Sequence, residues 1–233
     1  MSTYVGGGDE MFSCFRREPI VYPNHIAVIP DGNRRYARRA FQDAGSGYDH
    51  TGKAIQCLVD WCLEKGIGEL SIFAWSSENW SRPKEEIDAT MDQIARVLDK
   101  WLRSEQTDIA FHFVSTSSHK LNSTIQQKMH DLAAITRSHK KMKCYIYLSY
   151  GFSEDVERPQ IGDFSESSSV PSTATDPDLL VRTSGEFRLS NFCMWHLRYT
   201  ELLFIHPLFP ECDAEVWDDC AVQYSRRKRR YGK

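Results

Sequence analysis

Short apolar runs alternate with stretches of helical periodicity along nearly the whole chain, and this alternation constrains the fold more than any other feature. Ile26 to Ile29, Leu70 to Ala74, Ile109 to Val114 and Cys144 to Tyr150 read as buried strands, and a further short strand lies between Asp178 and Arg182. Between them, Ile55, Leu58, Val59, Cys62 and Leu63 form one helix face that stops near Gly66 and Gly68. Ile87, Met91, Ile94, Leu98 and Trp101 recur at intervals of four and three, which predicts a long amphipathic helix after Pro83. Leu121, Ile125, Met129, Leu132 and Ile135 predict another helix, and Trp217, Cys220, Ala221 and Tyr224 a last one. Strands that alternate with helices assemble as a parallel sheet. The fold class is therefore α/β: a single domain with a central, mostly parallel sheet flanked by helices, and 233 residues suffice for its core.

Three polar clusters sit at these strands. After Ile26 to Ile29 come Pro30, Asp31, Gly32 and Asn33 and then the basic run Arg34-Arg35-Tyr36-Ala37-Arg38-Arg39. One carboxylate and one amide thus follow a strand, Gly32 permits close backbone approach, and helix-start N–H groups and guanidinium groups are ready for an anion. Asp31 among arginines points to a metal-bridged diphosphate; on local chemistry alone a solvated turn before a basic helix reads equally well. The second cluster is Trp75-Ser76-Ser77-Glu78-Asn79-Trp80-Ser81-Arg82-Pro83. The third runs from Asp178 through Arg182, Glu186, Phe187, Arg188, Leu189 and Ser190 to Asn191 and Phe192.

In this order and spacing the clusters resemble the cis-prenyltransferase family, which includes undecaprenyl and dehydrodolichyl diphosphate synthases, from about His25 to Gly232. The resemblance implies a hydrophobic tunnel between the long helices and the sheet. It also implies condensation of an allylic diphosphate with isopentenyl diphosphate, with release of diphosphate and a short or medium-chain product. It makes Asp31 and Glu201 Mg2+-associated carboxylates, and Gly32, Asn33, Arg34, Arg35 and Tyr36 the allylic diphosphate cradle. Arg182, Arg188, Leu189 and Ser190 would hold isopentenyl diphosphate, and Ser76, Ser77, Glu78, Asn79, Trp80 and Arg82 the loop that closes over the substrates. Asn79 occupies a position assigned to proton acceptance; an amide is a weak base, so diphosphate or water relayed by Asn79 is the better chemistry. The Arg230-Tyr231-Gly232 ending resembles a terminus that reaches a partner's site, which makes Arg230 and Gly232 substrate contacts in a homodimer. Each residue also has a structural reading: Trp80 as a core aromatic, Arg188 as a surface ion pair, Glu201 as a strand flank, Asp178 as a strand-end ion partner or helix cap.

Departures from the family pattern are concentrated on the allylic side. Tyr48 stands at a histidine position unless a one-residue gap brings in His50, and Ala44 stands at an arginine position. Pro30 replaces a common Met, Phe187 a His, and Ser149-Tyr150-Gly151-Phe152 an Asn-Tyr-Gly-Gly-like segment. These changes keep open irregular coupling of two allylic diphosphates, or terpene-like cyclisation. A non-catalytic partner subunit is the alternative of another class, and retention of Asp31 and the Asn79 loop argues against it. If Phe73, Trp75, Tyr145 and Tyr147 point into the tunnel, they shorten the product.

The remaining sequence sets the surroundings. A net charge of −3 gives no global attraction to nucleic acid or anionic membrane, despite the basic runs Arg34 to Arg39 and Arg226 to Arg230. Seven cysteines, at 14, 57, 62, 144, 193, 212 and 220, form no CxxC pair, and their scatter among apolar positions reads as reduced thiols in the cytoplasm. No run approaches the roughly 20 apolar residues that span a bilayer. Residues 1–24 read as a partly flexible extension in which Met11, Phe12 and Phe15 pack on the domain or touch a membrane peripherally. Residues 25–233 form the domain, and His25, His112 and His206 are read as structural. The Ser-rich stretch near Ser153 to Asp176 breaks the pattern as a mobile segment, shorter than the helical insertion usual in the family.

Overall fold

Six strands form one sheet in the order β3-β4-β2-β1-β5-β6, all parallel. In the computed structural model, residues 19–40, 44–104, 108–157 and 174–233 are described, without the side chains of 44–49. The strands are β1 (His25–Ile29), β2 (Glu69–Ser76), β3 (Ile109–Val114), β4 (Met142–Tyr150), β5 (Leu179–Arg182) and β6 (Glu201–Phe204). The helices are α1 (Asn33–Ala40), α2 (Ala44–Lys65), α3 (Lys84–Arg103), α4 (Ser123–Thr136), α5 (Phe152–Glu157) and α6 (Ala214–Ser225).

Burial on both faces makes Ile26 to Ile29 of β1 and Leu179 to Val181 of β5 continuously apolar, as a central parallel strand must be. On one face Val28, Ile72, Ile146, Leu148 and Val181 pack with residues of α2, α3, α4 and α6, including Leu58, Leu98, Ile125 and Trp217. On the other, Ala27, Phe73, Tyr145, Tyr147, Tyr150 and Leu180 pack with Phe192 and Cys193. Helix α2 ends at the expected glycine: Gly66 adopts φ +71°, and the Ile67 N–H closes back on the Cys62 carbonyl at 2.9 Å. Glu85 and Glu86 in the first turn of α3, with Lys100 and Arg103 in its last, match the helix dipole.

Two expectations are corrected. The buried face of α4 runs Ile125, Met129, Leu132, Thr136, so Ile135 falls one residue past it and is 57% exposed. The first residues of the Ser153-to-Asp176 segment, read as mobile, form α5, whose Glu154 and Asp155 suit a helix start. Residues 158–173 of that segment lie outside the described residues, as do Met11, Phe12, Phe15 and Cys14. The six described cysteines are unpaired thiols, five of them buried. His25 makes structural bonds, its ring nitrogens meeting the Thr175 carbonyl at 2.8 Å and Ser71 Oγ at 2.9 Å. Among the described residues no helix is long and apolar enough to cross a membrane.

Candidate active site

Strand β1 lies between β2 and β5, and the chain winds away from it in opposite directions on its two sides. Ligands of open α/β sheets bind at such a point, beyond the strand carboxyl ends. There the β1–α1 turn and the end of β5 meet: Arg182 Nη2 donates to Asp31 Oδ2 at 2.8 Å, across 151 residues of sequence. The Gly32 N–H donates to Asp31 Oδ1 at 2.6 Å. Burial alone would raise the Asp31 carboxyl. The hydrogen bonds from Arg182 and Gly32 and the charges of Arg182 and Arg35 outweigh it and hold the group below its ordinary value. Gly32 has φ +99°, and a Cβ there would meet Leu208 at 2.8 Å and Ser184 at 3.0 Å, so only glycine fits this turn.

Asp31, Gly32, Asn33, Arg34 and Arg35 border a cavity of about 660 Å3, joined by Arg182, Arg188 and Ser190 from the β5 side and by Ser76, Glu78, Asn79 and Arg82 from the β2 side. Its inner wall is apolar: Ile55 of α2, Ile94, Val97, Leu98 and Trp101 of α3, and Ile72, Phe113, Ile146 and Leu148 of the sheet. A polar, basic mouth thus opens onto an apolar tunnel between the long helices and the sheet. The mouth holds counter-ions. Glu186 pairs with Arg35 at 3.5 Å and Arg188 at 2.5 Å, and Arg34 pairs with Glu86 at 3.1 Å. The Asn33 side chain is used at both ends, donating to the Pro30 carbonyl at 2.7 Å and accepting from Thr51 Oγ1 at 3.0 Å, so it fixes the turn.

Irregular pairing of β2 with β4 around Phe73, Trp75 and Ser76 brings Trp75 to the cavity, where its ring carries Arg82 at 5.1 Å. Trp80 packs edge-on against Trp75 and donates its N–H to Ser149 Oγ at 2.8 Å, so it braces the cavity wall from behind. Ser149 holds this place at φ +55°. Tyr145 and Tyr147 face the other side of the sheet, because side chains alternate along β4. They do not enter the tunnel, contrary to one of the possibilities raised by the sequence. Phe73 borders the cavity while its ring stacks on Phe192.

Several expected site residues lie elsewhere. Tyr36 bonds through its hydroxyl to His50 Nδ1 at 3.2 Å, Ser77 is buried beside Gly151, and Leu189 packs on the far-face cluster. Glu201 is level with Leu179, and Leu179 with Ile26, at the amino end of the sheet. Three strand steps, about 10 Å, separate Ile26 from Ile29 alone, and Asp31 lies beyond that. Glu201 pairs instead with Arg227 at 2.9 Å, so one chain does not bring Asp31 and Glu201 together as a metal pair. Arg230 and Gly232 are exposed beyond Arg229, which is bound to Asp178 and stands over the Tyr231 ring, so they too lie outside this chain's own cavity. The sequence reading missed Thr51, Thr90 and Gln93 in the wall. Thr90 shares the α3 stripe of Ile94, Val97 and Trp101, a polar residue on an apolar face being the available signal. Asn191, whose amide donates to Glu78 Oε1 at 2.7 Å, stood in the third cluster without a role.

Residues 29–232 match the family model described as "Putative undecaprenyl diphosphate synthase". The chain belongs to the cis-prenyltransferase family. A ditrans,polycis-undecaprenyl-diphosphate synthase of Xanthomonas axonopodis pv. citri is 34% identical over 90% of this chain and 88% of the relative. Dehydrodolichyl diphosphate synthase 4 of Arabidopsis thaliana is 33% identical over 99% of this chain and 86% of its own length. Among solved structures, lavandulyl diphosphate synthase of Lavandula x intermedia, in complex with dimethylallyl diphosphate, superposes with a TM-score of 0.80 at 28% identity, covering 91% of this chain and 99% of that one. As a cis-prenyltransferase the protein is a transferase that elongates prenyl chains, which the comparisons favour over irregular coupling, cyclisation or a non-catalytic role. The substrates of the family are allylic and isopentenyl diphosphates, and the family uses a divalent metal.

Proposed function

We propose that this cis-prenyltransferase is a Mg2+-dependent homodimer that makes a short-chain product, with its two diphosphates bound on either side of the Asp31–Arg182 pair. The observation that carries this reading is a cavity in which a basic mouth leads into an apolar tunnel. The α1 end of the mouth, with Gly32, the backbone of Asn33, Arg34 and Arg35, takes the allylic diphosphate. Arg182, Arg188 and Ser190 take that of isopentenyl diphosphate. Arg82, held over Trp75, closes the mouth from the β2 side. Asn79 is placed on the same wall to orient the proton acceptor.

The Asp31 carboxylate suits a Mg2+ ion. Each oxygen accepts one N–H, so lone pairs remain on both. Among the described residues no three His, Cys, Asp or Glu side chains cluster as an all-protein cage. A lone carboxylate with substrate phosphates is the usual Mg2+ arrangement. When bound there, the ion would neutralise charge that develops on the departing diphosphate.

Product length follows from the tunnel wall, where the large rings of Trp75 and Trp101 border the cavity and narrow the room for a growing chain. For the dimer, β6 is an edge strand with Leu202 exposed, and Phe187, Trp195 and Tyr199 are exposed nearby. Purified protein should be incubated with a panel of allylic diphosphates, with and without isopentenyl diphosphate and with Mg2+ or chelator, and the products weighed by mass spectrometry. Short cis-prenyl diphosphates that require both isopentenyl diphosphate and Mg2+ are expected. Product without isopentenyl diphosphate, or chains near eleven units, would overturn the reading.

A further inference from the structure

Arg182 is only 3% exposed, and among the described residues its one ion-pair partner is Asp31. Its other terminal nitrogen, Nη1, is fixed by the Arg188 carbonyl at 2.5 Å and Ser190 Oγ at 2.8 Å. Among the described residues its Nε has no hydrogen-bond partner. The guanidinium therefore spans the mouth: one edge rests on the Asp31 turn, the other on the loop that carries Arg188 and Ser190. A buried cation needs a counter-charge, and removing its only one is costly. Asp31, with 31% of its side chain exposed, borders the cavity and is reachable by a ligand from the same side.

We infer that Asp31 is the stand-in anion of Arg182, occupying the guanidinium edge that a diphosphate takes, so that the two diphosphate sites are interlocked through this one ion pair. The inference rests on the proposed diphosphate site and goes beyond it. With the mouth empty, Arg182 is neutralised by Asp31, and a diphosphate arriving at Arg182, Arg188 and Ser190 must compete with a carboxylate already in place. A cation or cation-bound diphosphate that engages Asp31 removes the competitor and leaves Arg182 its full charge for the second substrate. The first diphosphate thus promotes the second, although two anions alone would repel. Asp31 is in this respect a positioning residue, acting on the second diphosphate through Arg182, in addition to any contact with metal.

A double-mutant cycle separates this interlock from simple removal of negative charge. Inorganic diphosphate is titrated calorimetrically, in chelator, into the full-length chain, Asp31→Asn, Arg182→Gln and the double variant. The interlock predicts that Asp31→Asn tightens binding by about tenfold when Arg182 is present and by less than about twofold when it is Gln, within the usual range of coupling between sites. Asp31→Asn should also melt lower than the natural chain without diphosphate and regain the difference with it. An equal gain in both backgrounds, or weaker binding in Asp31→Asn, overturns the interlock while leaving the diphosphate site standing. Binding by none of the four removes that site itself. A second measurement uses the unaltered chain: the Kd of isopentenyl diphosphate with and without Mg2+ and an unreactive allylic thiolodiphosphate. At least fivefold tightening is expected, and an unchanged or weaker Kd overturns the proposal.

Discussion

The two ends of the sheet use the same ionic vocabulary and do different things with it. At the amino end, Asp178 accepts the backbone N–H groups of Asn24 at 2.9 Å and His25 at 3.1 Å and binds Arg229. Glu69 accepts from the Thr175 N–H at 3.0 Å and pairs with Lys143 at 3.3 Å, and Glu201 pairs with Arg227. At the carboxyl end, Asp31, Arg182, Glu186 and Arg188 also pair, but around a 660 Å3 cavity with an apolar floor. An unpartnered guanidine N–H does not tell the ends apart, because Arg182 and Arg229 each have one. What differs is room beside the charges. Ion pairs packed into the fold are fasteners; ion pairs that border open volume can exchange one partner for a ligand.

The sharpest way to break this comparison is Asp31→Ala. Loss of the stabilised leaving group should lower kcat on the order of 10²-fold or more in a chain that still folds by circular dichroism. A near-normal kcat would reduce the carboxyl end to another fastener. Next in size, Arg182→Ala and Arg188→Ala should raise the KM for isopentenyl diphosphate by about tenfold, Arg182 more than Arg188 because it is buried where Arg188 is 59% exposed. If steady-state kinetics show only the allylic KM moving, the two diphosphates are allotted the wrong way round.

Asp178→Ala should do the reverse, costing about 2–4 kcal/mol in urea unfolding through the unpaired N–H groups and Arg229, with kcat within a few-fold of normal. A large kcat loss at unchanged stability would make the amino end functional rather than structural. The smallest effect is in pH. Burial lowers the His25 pKa below its ordinary 6.5, against the raising effect of the Glu69 charge and the Thr175 carbonyl. The unfolded chain then binds the proton first, so stability is full above about pH 6.5 and falls as pH drops below it, by at most about 1.4 kcal/mol per unit. The Asp31 shift is downward, so its contribution is present above the unfolded value of 3.8 and lost only as pH falls through the lower folded one. Acid titration of the natural chain and His25→Gln should therefore diverge in slope as pH drops below about 6.5. Parallel curves throughout would show that His25 is not the amino end's acid-sensitive fastener.

Strands β1 to β5, the long helices and the three clusters at strand ends were legible in the residues because their causes are local. Burial on both faces makes a strand continuously apolar, a 3.6-residue period marks α2 and α3, and Gly32 and Gly66 mark turns that other residues fit poorly. The local pattern failed at its own margins, where one residue of helical phase separates exposed Ile135 from buried Thr136 and a Ser-rich stretch begins as a helix. Motif order also placed Asp31, Arg35, Arg82, Arg182 and Ser190 in one site, and all border the same cavity.

Sequence alone determined which segments could be strands and which residues were candidates for the chemistry. Only the tertiary structure decided how those residues meet. Strand order and register put Asp31 beside Arg182 and carried Glu201 to the opposite end of the sheet. An irregular β2–β4 pairing, not side-chain type, brought Trp75 to the tunnel and, with plain alternation along β4, kept Tyr145 and Tyr147 out of it. The reason is physical: helix and turn preferences are set within a few residues. Pairing across 151 positions and the volume left between α3 and the sheet depend on how all the elements pack at once.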